Sequence, residues 1–365
     1  MSFQLTDSMS IMDVFYESFE SVDVKESIAS SRISISEFLI ENYCDFIHIS
    51  IARSGQNFCG WMVYDSDELD DDDELKPMTV GDTVFEHSEI QGTQLLLYHE
   101  NRFVGAIALL KYLFEIFTGR IEKSSFVTGT RPTREISDFL VNVFRFNCVA
   151  LCEKVTMFQN GISSKSMIDQ ILDLATGMKH FDMRLPLPDD WSNAKVLQLD
   201  SLISWPTEWL TRNDLLTNLD CLCANLNETP LKSEDFIDFM RKWKTCDDFV
   251  PRLRILEVSF DGDWSNFDCT GLGVKKWNPA ERDSHYPDHF GTIDADWFNC
   301  ELASDIQRDD GLLASFWRRE QSFHFVVWHN RFPIATLHPN PNQLVKLEDM
   351  EFASDDSDES GNEDE

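Results

Sequence analysis

The sequence predicts an α/β fold, in which short apolar strands alternate with amphipathic helices. Three runs rich in residues that favour β-structure, 196–199, 219–223 and 253–258, supply the strands. Two segments between them carry helical capping signals and apolar periodicity. With 365 residues and 42% apolar side chains, the chain is long enough to bury a sizeable core, as one large or two smaller domains.

The longer of these two helices is predicted to begin at Ser233. Asp235 in its first turn suits the positive end of the helix dipole. Phe236, Met240 and Trp243 then recur at helical spacing, which predicts one buried apolar stripe.

The shorter helix follows Trp209. Thr211 and Asp214 have the spacing of a capping box, with Asp where Glu is preferred, and Leu215 and Leu216 follow directly.

A strand at 181–185 and a helix at 164–175 precede this block, and Gly177 is well placed as the left-handed end of that helix. The predicted strands start near 181, 196, 219 and 253, so their spacing has no fixed period. We therefore predict an irregular leucine-rich-repeat-like layer, whose parallel strands are buried by the intervening helices.

Further elements are predicted before residue 160. Residues 46–51 and 58–64 form a hairpin, 94–98 a strand, 104–117 a helix closed by Gly119, 132–144 a helix, and 148–158 a strand. Residues 65–74 hold eight acids among ten and predict a solvated loop.

A family resemblance rests on the order of residues in this chain. It comprises Asp214-Leu215-Leu216, then Phe239 and Trp243, then Leu253 and Leu256, and finally Arg308, Asp310, Gly311 and Trp328. This order resembles the nematode F-box-associated domain over roughly residues 100 to 330, and the last four residues resemble its C-terminal β-hairpin.

The resemblance implies an N-terminal F-box, a helical motif that docks on a Skp-type adaptor of a cullin ubiquitin ligase. The residues that match its later helices, and would contact the adaptor, are Ile11, Val14, Phe15, Phe19 and Ile28. The usual leucine–proline opening is missing, and residues 1–10 are few and polar. The alternative is an ordinary amphipathic helix that packs on the main domain.

The resulting prediction divides the chain into a degenerate F-box-like segment (1–35), an α/β recognition region (36–345) and an acidic tail (346–365). Its function is predicted to be substrate recognition for a cullin-based ubiquitin ligase, with a Skp-type adaptor and an unidentified protein target as partners. The alternative is a stand-alone protein-interaction module of the same fold. No enzyme activity is predicted.

Charge and composition exclude several partners and suggest a compartment. The formal charge of -34 argues against nucleic acids and anionic membranes, because both are bound through Lys and Arg. Residues 1–10 lack a secretory pattern, and Lys111 and Glu115 interrupt the longest apolar stretch. Nine scattered cysteines predict reduced thiols and a cytoplasmic or nuclear location.

The sequence predicts no metal or cofactor. Cys221 and Cys223 read as core residues that share one face of a strand, because no second ligand pair accompanies them. His285, Asp288 and His289 read as surface residues, since Pro287 disfavours a shared helix.

The tail is predicted to be disordered, because seven of its last twelve residues are acidic and none is apolar. Ser354, Ser357 and Ser360 lie among these acids, in the pattern that acid-directed kinases favour.

Overall fold

The computed structural model describes residues 35–53, 56–68, 75–91, 94–117, 120–129, 133–286, 298–319 and 321–329. The helices are α1 (Arg102–Ile116), α2 (Arg134–Phe144), α3 (Asn147–Ala150), α4 (Lys165–Leu174), α5 (Arg212–Thr217) and α6 (Ser233–Thr245). The strands of the first half are β1 (Glu37–Asn42), β2 (Phe46–Arg53), β3 (Gln56–Asp65), β4 (Lys76–Val80), β5 (Thr83–Gln91), β6 (Gln94–His99), β7 (Lys123–Thr128), β8 (Lys154–Gln159) and β9 (His180–Arg184). Those of the second half are β10 (Ser201–Ser204), β11 (Cys223–Thr229), β12 (Ile255–Phe260), β13 (Lys275–Lys276), β14 (His285–Tyr286), β15 (Phe298–Asn299), β16 (Ser304–Gln307), β17 (Leu313–Arg318) and β18 (Ser322–Val327).

Sixteen strands form one mixed sheet, in the order β13-β16-β17-β18-β12-β11-β10-β9-β8-β7-β1-β2-β3-β6-β5-β4. Its centre, β7 to β12, is parallel and runs in chain order, so each strand pairs with the next one along the sequence. Helices α2 to α6 lie in the connections between these strands. The remaining pairings are antiparallel except β1–β7 and β3–β6. The molecule is therefore a mixed α/β protein, as predicted, built on one large sheet.

The helices bury one face of this sheet. Phe236, Met240, Trp243, Leu253 and Leu256 are all 0% exposed and belong to one core cluster, so the predicted burial of α6 against the strands is confirmed at this point. Buried positions alternate along β8, β9 and β12, as expected for strands that have one covered face.

Two of the predicted strands were misplaced. Residues 196–198 form a 3-10 helix instead, in which Val196 and Leu197 are both buried in the main core. The strand predicted at 219–223 begins only at Cys223. Cys221 and Cys223 consequently lie in two different core clusters, so the prediction that they share a face was wrong.

Further boundaries also differ. In place of one strand at 148–158, the chain forms α3 and then β8. The α4 helix ends at Leu174, and the following Gly177 does not have the predicted left-handed conformation. A Cβ there would lie 2.4 Å from the carbonyl oxygen of Leu151, so this glycine permits close backbone approach instead. The predicted end at Gly119 lies outside the described residues.

The predicted starts of α5 and α6 are correct, whereas α1 begins at Arg102 and not at residue 104. Thr211 and Asp214 form the capping box of α5, in which each side chain accepts from the other residue's backbone N–H, at 3.1 Å in both cases. Helix α6 begins at Ser233, as predicted, but Lys232 is its N-cap residue and Asp235 Oδ2 accepts from the Lys232 N–H.

Candidate functional site: the open face of the sheet

One face of the parallel centre is lined by half-buried and exposed side chains. The register places one row across five strands, comprising Thr156, Asp182, Ile203, Asn225 and Glu257. A second row, two residues further along, comprises Phe158, Arg184, Trp205, Asn227 and Ser259. We call these ten side chains the open face, since the helices pack on the other side of the sheet.

Hydrogen bonds between neighbouring side chains fix much of the open face. Arg184 donates from Nε and Nη2 to the two carboxylate oxygens of Asp182, at 2.9 and 3.0 Å. This contact raises the pKa of Arg184 further above its ordinary value. On the other side, Asn225 donates to Glu257 Oε2 at 3.2 Å and accepts from Asn227 at 2.6 Å. These polar groups are ordered before any partner arrives.

Two large aromatic side chains project from this ordered surface. Phe158 is 37% exposed and Trp205 is 46% exposed. Phe158 is paired with Arg184, and Trp205 donates its backbone N–H to Met183 O, so β9, which carries Arg184, lies between the chain segments that carry the two rings. Exposed aromatic groups next to a fixed arginine are typical of the anchors of protein interfaces.

The start of the parallel strands is basic. A groove of about 240 Å³ is lined by Lys123, Lys154, His180, Asp182 and other residues of β7 to β10. Burial lowers the pKa of His180, and the nearby Lys154 ammonium lowers it further. Lys123 and Lys154 therefore supply the positive charge of this groove, and the Asp182 carboxylate offsets part of it.

The other end of the same strands is acidic. A pocket of about 500 Å³ is lined by Glu208, Glu228 and Asp261 together with Ser259 of the open face. Glu228 has a φ of 54°, and Ser259 Oγ accepts from its backbone N–H at 3.0 Å. The open face thus runs from a basic groove to an acidic pocket.

A second, smaller core covers the start of strands β11 and β12 and the end of β18, on the same side of the sheet as the open face. Its members are Cys223, Ile255, Tyr286, Phe298, Cys300, Ala303, Val326 and Trp328. Burial raises the pKa of the Cys300 thiol to about 11, so that this thiol stays protonated and unreactive at neutral pH.

The family-like residues lie within the cores or at a turn rather than on the open face. Leu215, Phe239, Trp243, Leu253 and Leu256 are buried in the main core, and Leu216 is half-buried against it. The structure brings the two halves of the pattern together, because the guanidinium carbon of Arg308 lies 5.4 Å from the centre of the Trp243 ring.

Arg308, Asp310 and Gly311 shape the turn between β16 and β17. Arg308 forms a two-pronged ion pair with Asp310 at 3.1 and 2.6 Å, which holds the pKa of Asp310 at about 2. Gly311 follows with a φ of 91°, a conformation that favours glycine. Trp328 lies in the second core, where Nε1 donates to Ser315 Oγ at 2.8 Å.

The predicted adaptor contacts Ile11, Val14, Phe15, Phe19 and Ile28 lie outside the described residues, as do Asp288, His289 and the acidic tail. His285 is half-buried in β14. Across the described ranges, no group of three His, Cys, Asp or Glu side chains is placed to hold a metal ion. Within those same ranges, no helix has the length and apolar content needed to cross a bilayer.

The sequence did not single out the open-face residues. The signal for Phe158 was present as the alternation of Lys154-Val155-Thr156-Met157-Phe158, which places the phenylalanine opposite the buried side. The signal for Trp205 was weaker, because the strand before it was assigned to residues 196–199.

Comparison with known proteins gives one informative relative. An uncharacterized protein of Caenorhabditis elegans is 24% identical over 263 residues, which cover 68% of this chain and 59% of that protein. The matched region thus spans less than two thirds of the relative's length. No family model matches the chain, and no solved structure matches it.

Proposed function

We propose that this chain is a protein-recognition subunit that binds its target on the open face. The observation that carries the proposal is the pair of partly exposed aromatic rings, Phe158 and Trp205, on the same face of the sheet as an Arg184 that Asp182 already holds in place. Aromatic and arginine side chains dominate binding energy in protein interfaces, and an ordered arginine loses little entropy on binding.

The strand order supports the finer proposal of a leucine-rich-repeat-like layer. Strands β7 to β12 are parallel and consecutive, with their helices packed on one side. Layers of this kind leave a broad strand face available to partners, and insertions in the connections vary without disturbing it.

We further propose that the target is delivered to a cullin-based ubiquitin ligase through a Skp-type adaptor. The support is the resemblance of residues 214–328 to the F-box-associated domain, together with the apolar stripe at residues 11–28. A stand-alone interaction module without this link is the alternative. Catalysis is not part of the proposal; burial raises the pKa of the Cys148, Cys152, Cys221 and Cys300 thiols, which disfavours all four as nucleophiles.

The target proposal is tested by affinity capture with the full chain and a double variant, Phe158→Ser with Trp205→Ser. Both rings are partly exposed, so the variant should remain folded at the assay temperature while losing the proteins that the wild type captures reproducibly. The matched control is Val84→Ser with Ile162→Ser, two side chains that are 61% and 66% exposed elsewhere on the molecule. Equal capture by the double variant and the wild type would disprove a role for the open face.

The ligase link has its own test. Phe15→Asp should abolish binding of a purified Skp-type adaptor and leave target capture unchanged, because a charge forced into an apolar groove lacks a partner. If wild-type protein binds no such adaptor, the stand-alone module is the correct description.

A further inference from the structure

An apolar groove lies between α1 and α2, on the helical side of the molecule and away from the open face. Phe103, Val104 and Ile107 of α1 and Phe139 of α2 line it, and we call it the α1–α2 groove. Its volume is about 310 Å³. Val104 is 56% exposed, so the groove presents an aliphatic side chain to solvent.

The bottom of the groove is formed by apolar side chains that pack against one another and against the main core. The rings of Phe103 and Phe139 lie 5.5 Å apart between centroids and join the two helices. Phe103 and Ile107 also pack against the main core. The charged groups on its lining, Glu135 and Asp138, both come from α2.

The sequence of residues 11–22 fits this groove. At 100° per residue, the apolar residues of a helix there fall within an arc of about 160°; they are Ile11, Met12, Val14, Phe15, Phe19 and Val22. The acids Asp13, Glu17 and Glu20 fall on the opposite side. A helix seated by its apolar stripe would therefore keep its carboxylates in solvent and away from Glu135 and Asp138.

The chain length allows the contact. Ser36 O, beside the start of β1, accepts from the backbone N–H groups of Glu122 and Lys123 at the start of β7, which is the strand that follows α1 in the chain. The groove lies at the other end of α1, about 22 Å away for a 15-residue helix. Residues 23–34 span up to about 40 Å when extended, which is ample.

We propose that residues 11–22 of this chain form a helix that occupies the α1–α2 groove. Tethering raises the effective concentration of this segment to about the millimolar range, which favours it over a partner in free solution. The proposal does not depend on the ligase link. It does affect how an adaptor could bind. A stripe seated in the groove is not available to an adaptor, so adaptor binding would require its release.

Val104→Asp in the full chain is the decisive variant. Val104 is the third residue of α1, where Asn101 Oδ1 accepts from the Phe103 and Val104 N–H groups, and an aspartate suits this first turn. The fold is therefore retained while a charge enters the groove. Ile162→Asp, at a side chain that is 66% exposed, is the matched control.

Hydrogen exchange measured by mass spectrometry tests whether residues 11–22 contact the α1–α2 groove. We expect residues 11–22 to exchange at least about tenfold more slowly than an unstructured peptide, and Val104→Asp to remove most of this protection. Ile162→Asp should leave it unchanged, and Phe15→Asp should speed exchange in the first turns of α1 and around Phe139. Unprotected residues 11–22 in the wild type, or the same protection in Val104→Asp, would overturn the proposal.

Discussion

Arg282 and Asp305 form a salt bridge that is almost completely withdrawn from solvent. Arg282 Nη2 lies 2.7 Å from Asp305 Oδ1, and the two side chains are 2% and 9% exposed. Ser315 Oγ donates to the same carboxylate oxygen at 2.7 Å and accepts from Trp328 Nε1. The network ties the segment before β14 to the β16–β17 hairpin and to the end of β18.

Asp305→Ala is expected to lower the free energy of unfolding by about 3–5 kcal/mol, because it leaves the Arg282 charge buried without its partner. Urea unfolding measures this change. The control is Arg134→Ala, which removes an ion pair between side chains that are 94% and 68% exposed and should cost less than about 0.5 kcal/mol. Equal effects of the two substitutions would mean that water reaches the Arg282 site.

Trp243→Ala should also cost about 3–5 kcal/mol, because a fully buried aromatic side chain is replaced by a cavity. The Trp243 ring lies 5.3 Å from Phe325 between centroids, and Arg308 stacks on it. Thermal unfolding monitors the loss. Trp205→Ala is the control, because that ring is 46% exposed and its removal should lower the midpoint clearly less than removal of Trp243.

Gly177→Ala tests the close approach of two chain segments. The added Cβ would lie 2.4 Å from Leu151 O, so the backbone must shift, at a cost of roughly 1–3 kcal/mol. Gly129→Ala provides the comparison, because its nearest neighbour would be 3.8 Å away. If both alanine variants unfold at the wild-type urea concentration, the Gly177–Leu151 contact is not tight in solution.

The sequence predicted well those elements whose signals are local. Helix α6 carries its start at Ser233 and its apolar stripe within 13 residues, so both could be recognised without knowing the fold. The strand positions depended on pairing that is remote in sequence. Ser201–Ser204 has little apolar signal of its own, yet it forms the central strand β10 because Phe181 and Ala224 lie on either side of Leu202.

The open face was harder to predict than the core for a physical reason. A side chain belongs to it only through the register of five strands, and no short pattern records that Phe158, Arg184 and Trp205 become neighbours. The buried family-like residues were easier to find, since core packing constrains residue type at each position. Such residues establish how the chain folds, whereas the exposed side chains determine what it binds.

Deletion of residues 354–365 is expected to leave the unfolding midpoint unchanged while removing seven acidic side chains, because the segment has nothing apolar to bury. Differential scanning calorimetry of the full chain and the truncated chain measures this. The control is a chain in which the same seven acids are replaced by Gln and Asn. A lower midpoint for the truncated chain alone would show that the tail contacts the folded region through its backbone or serines.

His324 should make stability depend on pH in a defined window. Its ring stacks on Trp317 at 5.1 Å between centroids, with Glu257 Oε1 at 3.8 Å from Nδ1. Burial, and then the positive charge of Arg319, lower the pKa of His324 from 6.5 to about 4. The unfolded chain therefore binds a proton on this residue at a pH where the folded chain does not.

The sign of the effect follows from this difference in proton binding. Above pH 6.5 the histidine is neutral in both states and its contribution is fully present; as the pH falls from 6.5 to about 4, the unfolded state gains a proton and the folded state loses stability relative to it. His324→Gln removes the titrating group, so the variant should lose less free energy of unfolding than the wild type between pH 7 and pH 5. Urea unfolding at both pH values gives the comparison, and the other acidic and basic groups cancel because they are common to both proteins. The same loss in both proteins would show that His324 is charged in the folded state, paired with Glu257 rather than held neutral by burial.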